Sequence, residues 1–566
     1  MKRKILIALS LIIIISLLCS CTKTPAQTTG PSGTEASTGK SSEATGTGSS
    51  NPILNEVGTL PLVKEEIELD IMVGYYPFLV TDVNTHYAAN ELQKRTGIKL
   101  NYELVDYQQV SERVTLMLNA GDELPDIITA ARMSFDQINY YGSRGVFLPL
   151  EGMIENDSYW IKRIFTEYPD AGRQCRAWDG HIYVVPRYAE NLLTIYGAKI
   201  WINGKWLENL NLDMPTTTEE FYNVLKAFKE QDANNNGDPN DEIPLTTANN
   251  LWYGHVGGAL MNPFIYDNTG NQLIIKDGKI VPAYTQDEWR EGLKYINKLY
   301  KEGLLDSECY TQDTNTMKQL FMGDVQRAGS VLVGKMTNIV PAGQPELWQD
   351  YVLVPPLKGP SGQAVTCYVP PSVKADTGSV INAKSKHADV AFRLVDYFWS
   401  EEARLITCYG EENVDWRTPP SNVLGVNGKP AFMEIINSFG SPELENRIFG
   451  DNFTYFETEK FVGGQVRKEG DADQYFYMEV IDKLVGFEPD EVVPPILPIT
   501  PEAIEEYNEL NSSITSFVNE NKAKFVVGEL DIYSDAAWNA YLDQLKTFRL
   551  ERYLEIMNEA YEIYKK

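Results

Sequence analysis

The apolar positions of the chain change their spacing twice before settling into a globular rhythm. An apolar run from Ile5 to Leu18 follows Lys2, Arg3 and Lys4, and from Thr22 to Ser50 Thr, Ser, Gly, Pro and Ala dominate with almost no large apolar side chain. Alternation begins at Ile67 to Gly74, where every second residue is apolar at the start, and predicts a strand. Tyr87, Ala88, Leu92 and Arg95 then follow a helical period that stops at Gly97. Ile98 to Leu104 predicts a second strand, Val110 to Asn119 a second helix and Asp126 to Ala130 a third strand. Strand, helix, strand, helix, strand in this order implies a parallel sheet. Further on, Thr216 with Glu219, or Thr217 with Glu220, has capping-box spacing, and Glu288 to Lys301 is an amphipathic helix closed by Gly303.

The opening run is too short to span a bilayer comfortably, since a transmembrane helix needs about 20 apolar residues. It reads as the hydrophobic region of an export signal over residues 1–20. The run ends in Leu18-Cys19-Ser20-Cys21, which resembles the bacterial lipobox and marks Cys21 as the lipidated residue. Residues 21–51 then form a tether that cannot bury enough apolar surface to offset its ordering entropy. As a flexible coil it spans about 30 Å root-mean-square. The expectation is a protein held by its lipid on the extracytoplasmic face of the cell membrane.

Charge narrows the partners. The formal net charge is −29, with 79 Asp and Glu against 50 Lys and Arg, and no basic stripe reverses this locally, so nucleic acid is excluded as a partner. Cys175, Cys309, Cys367 and Cys408 make no C-x-x-C pair, and His86, His181, His255 and His387 are scattered, so neither a zinc site nor a disulfide framework is legible. There is no nucleophile elbow, phosphate loop or H-E-x-x-H motif. Roughly 510 residues follow the tether, room for two or three domains.

Glu91 to Glu103 (ELQKRTGIKLNYE), Leu116 to Ile128 (LMLNAGDELPDII) and Gly145 to Glu155 (GVFLPLEGMIE) resemble the first lobe of family 1 extracellular solute-binding proteins. The resemblance continues through Asp179 to Arg187 (DGHIYVVPR), Ile200 to Asp232, Tyr351 to Val365 and the C-terminal residues from Phe525, and so covers the mature chain. It implies an α/β, periplasmic-binding-protein-like fold: two discontinuous lobes, a hinge and a central cleft. The expected crossings are Val185 to Ala189, Tyr351 to Pro356 and Thr407 to Asn413, which assign 52–185 with 351–410 to lobe 1 and 186–350 with 411–566 to lobe 2. The same resemblance implies a monomer that is no enzyme, captures a solute, most simply an oligosaccharide, and passes it to the permease subunits of an ABC importer. A peptide or signal receptor without transport is the competing reading, and a glycoside hydrolase is a more distant one.

One loop has metal-binding spacing. Asp232, Asn234 and Asn236 stand at positions 1, 3 and 5, with Gly237 at 6, as in the opening of an EF-hand calcium loop. Asp238 would offer its carbonyl, and because Ile243 stands where the EF-hand has its closing Glu, Asp241 and Glu242 must complete the shell. Structural Ca2+ is the expectation. For the cleft, aromatic faces that stack on sugar rings and polar groups on loops after strands are expected. Tyr75, Tyr76, Trp178, Trp252, Tyr253 and Trp416 are the aromatic candidates, with Asp179, Asn250, Asp415 and Arg417 as polar neighbours.

Overall fold

In a computed structural model, residues 51–566 are described, apart from Asp122, Asn249 and Asp324. Cys21, the leader and the tether up to Ser50 lie outside the described residues. No described helix is long and apolar enough to cross a membrane.

The chain opens with β1 (Ile67–Tyr75), α1 (Tyr87–Thr96), β2 (Ile98–Asp106), α2 (Val110–Ala120), β3 (Ile127–Thr129) and α3 (Phe135–Gly142). β1 pairs in parallel with β2 on one side and with β3 on the other. Its alternation becomes full burial from Ile71 to Val73 because helices cover both faces: Leu69, Ile71 and Val73 enter one core and Met72 the other. Gly74 is required by close approach, since a Cβ there would lie 2.2 Å from the Ala130 carbonyl oxygen.

From β4 (Val185–Ala189) the chain enters a second core built on β5 (Ile200–Asn203), α4 (Thr218–Glu230), α5 (Asp287–Lys301), β6 (Ser330–Leu332) and β7 (Tyr351–Leu353). β6, β5 and β7 form an antiparallel sheet in that order. The capping box of α4 uses Thr217 and Glu220, and the Glu220 carboxylate also accepts from the Thr216 amide at 2.8 Å. The return passes through β8 (Val373–Ile381), α6 (Ala388–Phe398), the small pair β9 (Trp416–Arg417) and β10 (Glu434–Ile435), and β11 (Phe456–Glu457). The chain ends in α7 (Ala472–Lys483), α8 (Ile504–Val527), α9 (Asp535–Thr547) and α10 (Leu550–Tyr564), and the last three pack on the second core. The first lobe's sheet has the order β11-β4-β8-β3-β1-β2, with β8 antiparallel to its neighbours.

These pairings move the crossings. Val185 to Ala189 is a strand of lobe 1, so the chain leaves only after Ala189. Tyr351 to Leu353 is a strand of lobe 2, and Val354 and Leu357 still pack there, so the return lies between Leu357 and Val373. The third crossing, expected at Thr407 to Asn413, is not a single passage: Val426 packs in the lobe 2 core, while Phe449, Phe453 and Phe456 belong to the lobe 1 core and β11 pairs with β4, so the chain is back in lobe 1 at Glu457. A further link is the proline-rich stretch near Pro494, where Val493 and Ile499 pack in lobe 2 while Ile496 packs against lobe 1.

Candidate ligand-binding cleft

β1, β2, β3, β4 and β11 run parallel, so their C-terminal ends and the loops beyond them share one edge of lobe 1. That edge carries aromatic rings and guanidinium groups in contact. The Tyr76 ring stacks on Phe78 at 5.4 Å and tilts against Tyr107 at 5.3 Å, and Arg132 lies 4.9 Å from the Tyr107 centroid. Ala130 and Arg132 both have positive φ, 53° and 54°, a strain that commonly persists at ligand sites. Next along the edge, the Arg187 guanidinium lies 5.6 Å from the Tyr455 ring and that of Arg404 only 3.4 Å from it.

Arg404 is buried and held by two acids. Its Nε donates to Glu457 at 2.6 Å and its Nη2 reaches Asp451 at 3.3 Å. Tyr455 donates to Asp451 at 3.1 Å and Tyr409 to Glu457 at 3.2 Å. Burial pushes the Tyr455 and Tyr409 phenols well above their ordinary value, with Asp451 and Glu457 adding to it, so both remain donors. Burial alone would raise the Asp451 carboxyl, but Arg404 and Arg187 outweigh it and hold it below the usual range. Burial also pushes the Cys408 thiol up, which makes it a poor nucleophile.

A cavity of about 490 Å3 opens between this edge and lobe 2, within the size of small-molecule sites. Lobe 1 lines it with Arg404, Tyr409, Phe439, Asp451 and Glu457, and the second side with Lys335 and with Asp473, Gln474 and Tyr477 of α7. Lys335 pairs with Asp473 at 2.8 Å. Immediately before Lys335, Gly334 carries the Trp252 indole, and a Cβ there would meet the ring at 2.1 Å. Trp252 is 37% exposed, and beneath it Lys199 is buried, donating to the carbonyls of Leu193 at 2.9 Å and Gly197 at 3.1 Å. Burial lowers the Lys199 ammonium to about 7.

The sequence candidates divide on this geometry. Tyr76 joins the aromatic edge, Tyr75 packs partly against the lobe 1 core, and Trp252 faces outward beside Lys335. Tyr253 packs its ring on Gly197 and reaches the Thr194 carbonyl at 3.5 Å, next to the first crossing. Trp178 and Asp179 belong to a turn, where Asp179 accepts from the His181 amide at 3.1 Å and from Tyr183 at 2.8 Å. Asn250 accepts from the Thr314 amide at 3.0 Å at the start of a short helix. Asp415, Trp416 and Arg417 make other contacts: Asp415 is fully buried against Arg447 at 2.7 Å, Trp416 packs with Met433 and Phe461, and the exposed Arg417 pairs with Glu434 at 2.8 Å. Sequence reasoning missed Tyr107, Arg187, Lys335, Arg404, Asp451 and Tyr455. Arg187 stood inside a quoted segment, and its strand placement was the available signal.

The 232–242 loop folds around its own oxygens. Asp232 accepts from the Asn236 amide at 3.0 Å and the Gly237 amide at 2.9 Å, while Asn235 and Gly237 take positive φ of 59° and 92°. The side-chain amides of Asn234 and Asn236 reach Asp241 at 3.2 and 3.0 Å. Glu242 is buried: one oxygen accepts from the Ala233 amide at 3.0 Å and the other, Oε2, has no partner. Burial, with Asp241 adding, raises its carboxyl. The Asp238 side chain instead bonds Asn240, leaving only its carbonyl for the loop. No group of three or more His, Cys, Asp or Glu suited to a metal occurs among the described residues, so any cation here would need the two asparagines. The all-oxygen set and the orphaned buried oxygen fit a hard cation, and a half-turn of each asparagine amide brings its oxygen inward.

Two α/β lobes joined by several crossings, with a polar and aromatic cavity between them, define a two-lobed solute-binding protein. The profile of the bacterial extracellular solute-binding proteins matches residues 83–405, and the chain belongs to that family. It is 25% identical over 524 residues to the fructooligosaccharide ABC transporter substrate-binding protein FusA of Streptococcus pneumoniae, across 89% of this chain and 92% of that one. A solved structure of a FusA EF-hand mutant in complex with fructo-nystose aligns with TM-score 0.64 and 23% identity, over 88% of this chain and 99% of its own. An HMO-binding, ABC-transporter-associated solute-binding protein from Bifidobacterium longum infantis aligns with TM-score 0.71 and 22% identity, over 89% of this chain and 100% of its own.

Proposed function

We propose that the chain captures an oligosaccharide between its lobes and delivers it to an ABC importer, tethered to the outer face of the membrane through lipid on Cys21. The observation that carries this reading is the interlobe cavity itself, where donors and acceptors on Arg404, Asp451 and Glu457 lie among the Tyr409, Tyr477 and Phe439 rings. Sugars need that mixture of flat apolar faces and short polar groups. FusA, named for fructooligosaccharides, supports the ligand class. The 232–242 loop is part of the same proposal as a structural calcium site with Asp232, Asn234, Asn236, Asp241 and Glu242 as side-chain ligands and Asp238 through its carbonyl. The EF-hand of FusA supports it. Monomeric action, with the permease subunits as protein partners, completes the reading.

The test is a thermal-shift screen of residues 52–566 against oligosaccharides, amino acids and short peptides. A ligand at a hundredfold over its dissociation constant adds about 2.7 kcal/mol. A shift with an oligosaccharide class supports the proposal. A shift with peptides alone contradicts it in favour of a receptor.

A further inference from the structure

We infer that the 232–242 loop positions the lobe 2 wall of the cleft, so that a divalent cation held in the loop and an oligosaccharide held in the cleft each tighten the binding of the other. This rests on the calcium and oligosaccharide readings above and adds the linkage between them.

Ile243 follows Glu242 directly, and from there the chain runs parallel to residues 327–332, with Ile243 opposite Ala328 and Thr246 opposite Val331. The Ile243 amide donates to the Arg327 carbonyl at 2.8 Å and the Gly329 amide to the Ile243 carbonyl at 2.9 Å. Further along, the Thr246 amide donates to the Ser330 carbonyl at 3.0 Å and the Leu332 amide to the Thr246 carbonyl at 3.1 Å. The buried Thr247 hydroxyl then lies between the carbonyls of Gly254 and, at 3.1 Å, Leu332. The two segments meet once more at the cleft, where the Gly334 amide donates to the Trp252 carbonyl at 2.9 Å beneath the Trp252 ring. Lys335, the next residue, lines the interlobe cavity.

The loop grips the second segment as well as the first. Arg327 Nε donates to the Asp241 carbonyl at 3.2 Å and lies 3.5 Å from the Asp241 carboxylate. Consecutive loop residues, Asp241 and Glu242, therefore hold the near ends of both segments, and the far ends carry Lys335 and Trp252. Arg327 and Lys335 are 8 residues apart, about 26 Å of extended chain at most. The same two acids close the loop's oxygen set, and Glu242, only 8% exposed, keeps Oε2 without a partner. Carboxylates engaged on a hard cation fix the near ends of both segments more firmly than asparagine amides do. With the wall ordered in advance, a ligand gives up less freedom in meeting Trp252 and Lys335, and the gain is reciprocal by linkage.

The experiment is amide hydrogen exchange of residues 52–566 in calcium and in chelator, paired with calorimetric titration of kestose, maltotriose, cellotriose, xylotriose and galacturonate trimer under both conditions. Calcium should slow exchange at the Thr246 and Gly334 amides about tenfold, while amides of the Leu273–Lys276 strand, in the same lobe but off this path, stay unchanged. The saccharide that binds should bind about tenfold more tightly in calcium, and Asp232→Ala should lose both effects. Slowing confined to residues 232–243, or spread equally over lobe 2, with one affinity under both conditions, overturns the linkage and leaves the calcium and oligosaccharide readings standing. A melting temperature indifferent to chelator overturns the calcium site and the linkage together. If no saccharide binds, the oligosaccharide reading fails, and exchange at Gly334 still decides whether the loop reaches the wall.

Discussion

At the residue scale, His86 shows how burial assigns a role that sequence leaves open. It precedes α1, its Nδ1 accepts from the Ala89 amide at 3.2 Å, its Nε2 meets the Ile448 carbonyl at 3.2 Å, and its ring lies 4.4 Å from Phe449. Burial lowers it to about 4, so it is a neutral helix cap with the proton on Nε2. An unfolded histidine titrates near 6.5, so the unfolded chain binds the extra proton first as pH falls. The cap's contribution is therefore complete above about pH 6.5 and is lost as pH falls toward 4, up to about 3 kcal/mol. His86→Asn keeps a capping acceptor and removes the titration. Urea unfolding between pH 7 and pH 4.5 should show a smaller loss of stability in that variant than in wild type, and equal losses would remove His86 from the account. Trp252→Ala should weaken oligosaccharide binding about tenfold with an unchanged melting temperature, since the ring is part-exposed on Gly334 rather than in the core. Unchanged affinity would take Trp252 out of the site. Residue identity alone could point to Tyr76 and Trp252 as aromatics on loops. It could not separate them from Asp415 and Arg417, whose partners Arg447 and Glu434 lie 32 and 17 residues away.

At the element scale, what was legible is what is local. β1, α1, β2 and α2 were readable because their periods and the stop at Gly97 sit within a few residues of each other. α4 was marked by its own cap, and Thr217→Ala should cost about 1 kcal/mol in chemical unfolding. A cost near zero would mean that Glu220 alone, through the Thr216 and Thr217 amides, holds that end. The 232–242 loop was legible as a motif because its oxygen-bearing side chains are nearly consecutive. If it holds calcium, chelator lowers the melting temperature of wild type, while Asp232→Ala melts at the lowered temperature with or without chelator. A wild type indifferent to chelator would leave the loop as a turn held by its own amides. The short lobe 2 strands were not readable as a sheet, because three or four apolar residues carry no period, and only the pairing of β5 with β6 and β7 makes them one.

At the scale of the molecule, the two-lobed plan followed from a resemblance spread along the chain, but the lobe limits did not. Which lobe holds Phe456 depends on its pairing with Tyr188, a contact between distant parts of the sequence that no composition shift announces. The same long-range pairing brings Tyr455, Arg404 and Arg187 together, which is why this cluster stayed hidden from a reading of local sequence. A ligand touching Arg404 on one side and Lys335 on the other would favour the closed arrangement by the contacts it gains there. The most direct test is a crystal structure of residues 52–566 with the oligosaccharide that raises its melting temperature most. The account predicts one saccharide between the lobes, hydrogen-bonded to Arg404 and Asp451 and stacked on an edge aromatic or Trp252. A saccharide seated elsewhere, such as the cavity lined by Tyr168 and Tyr564, with the Arg404 face untouched, would contradict it.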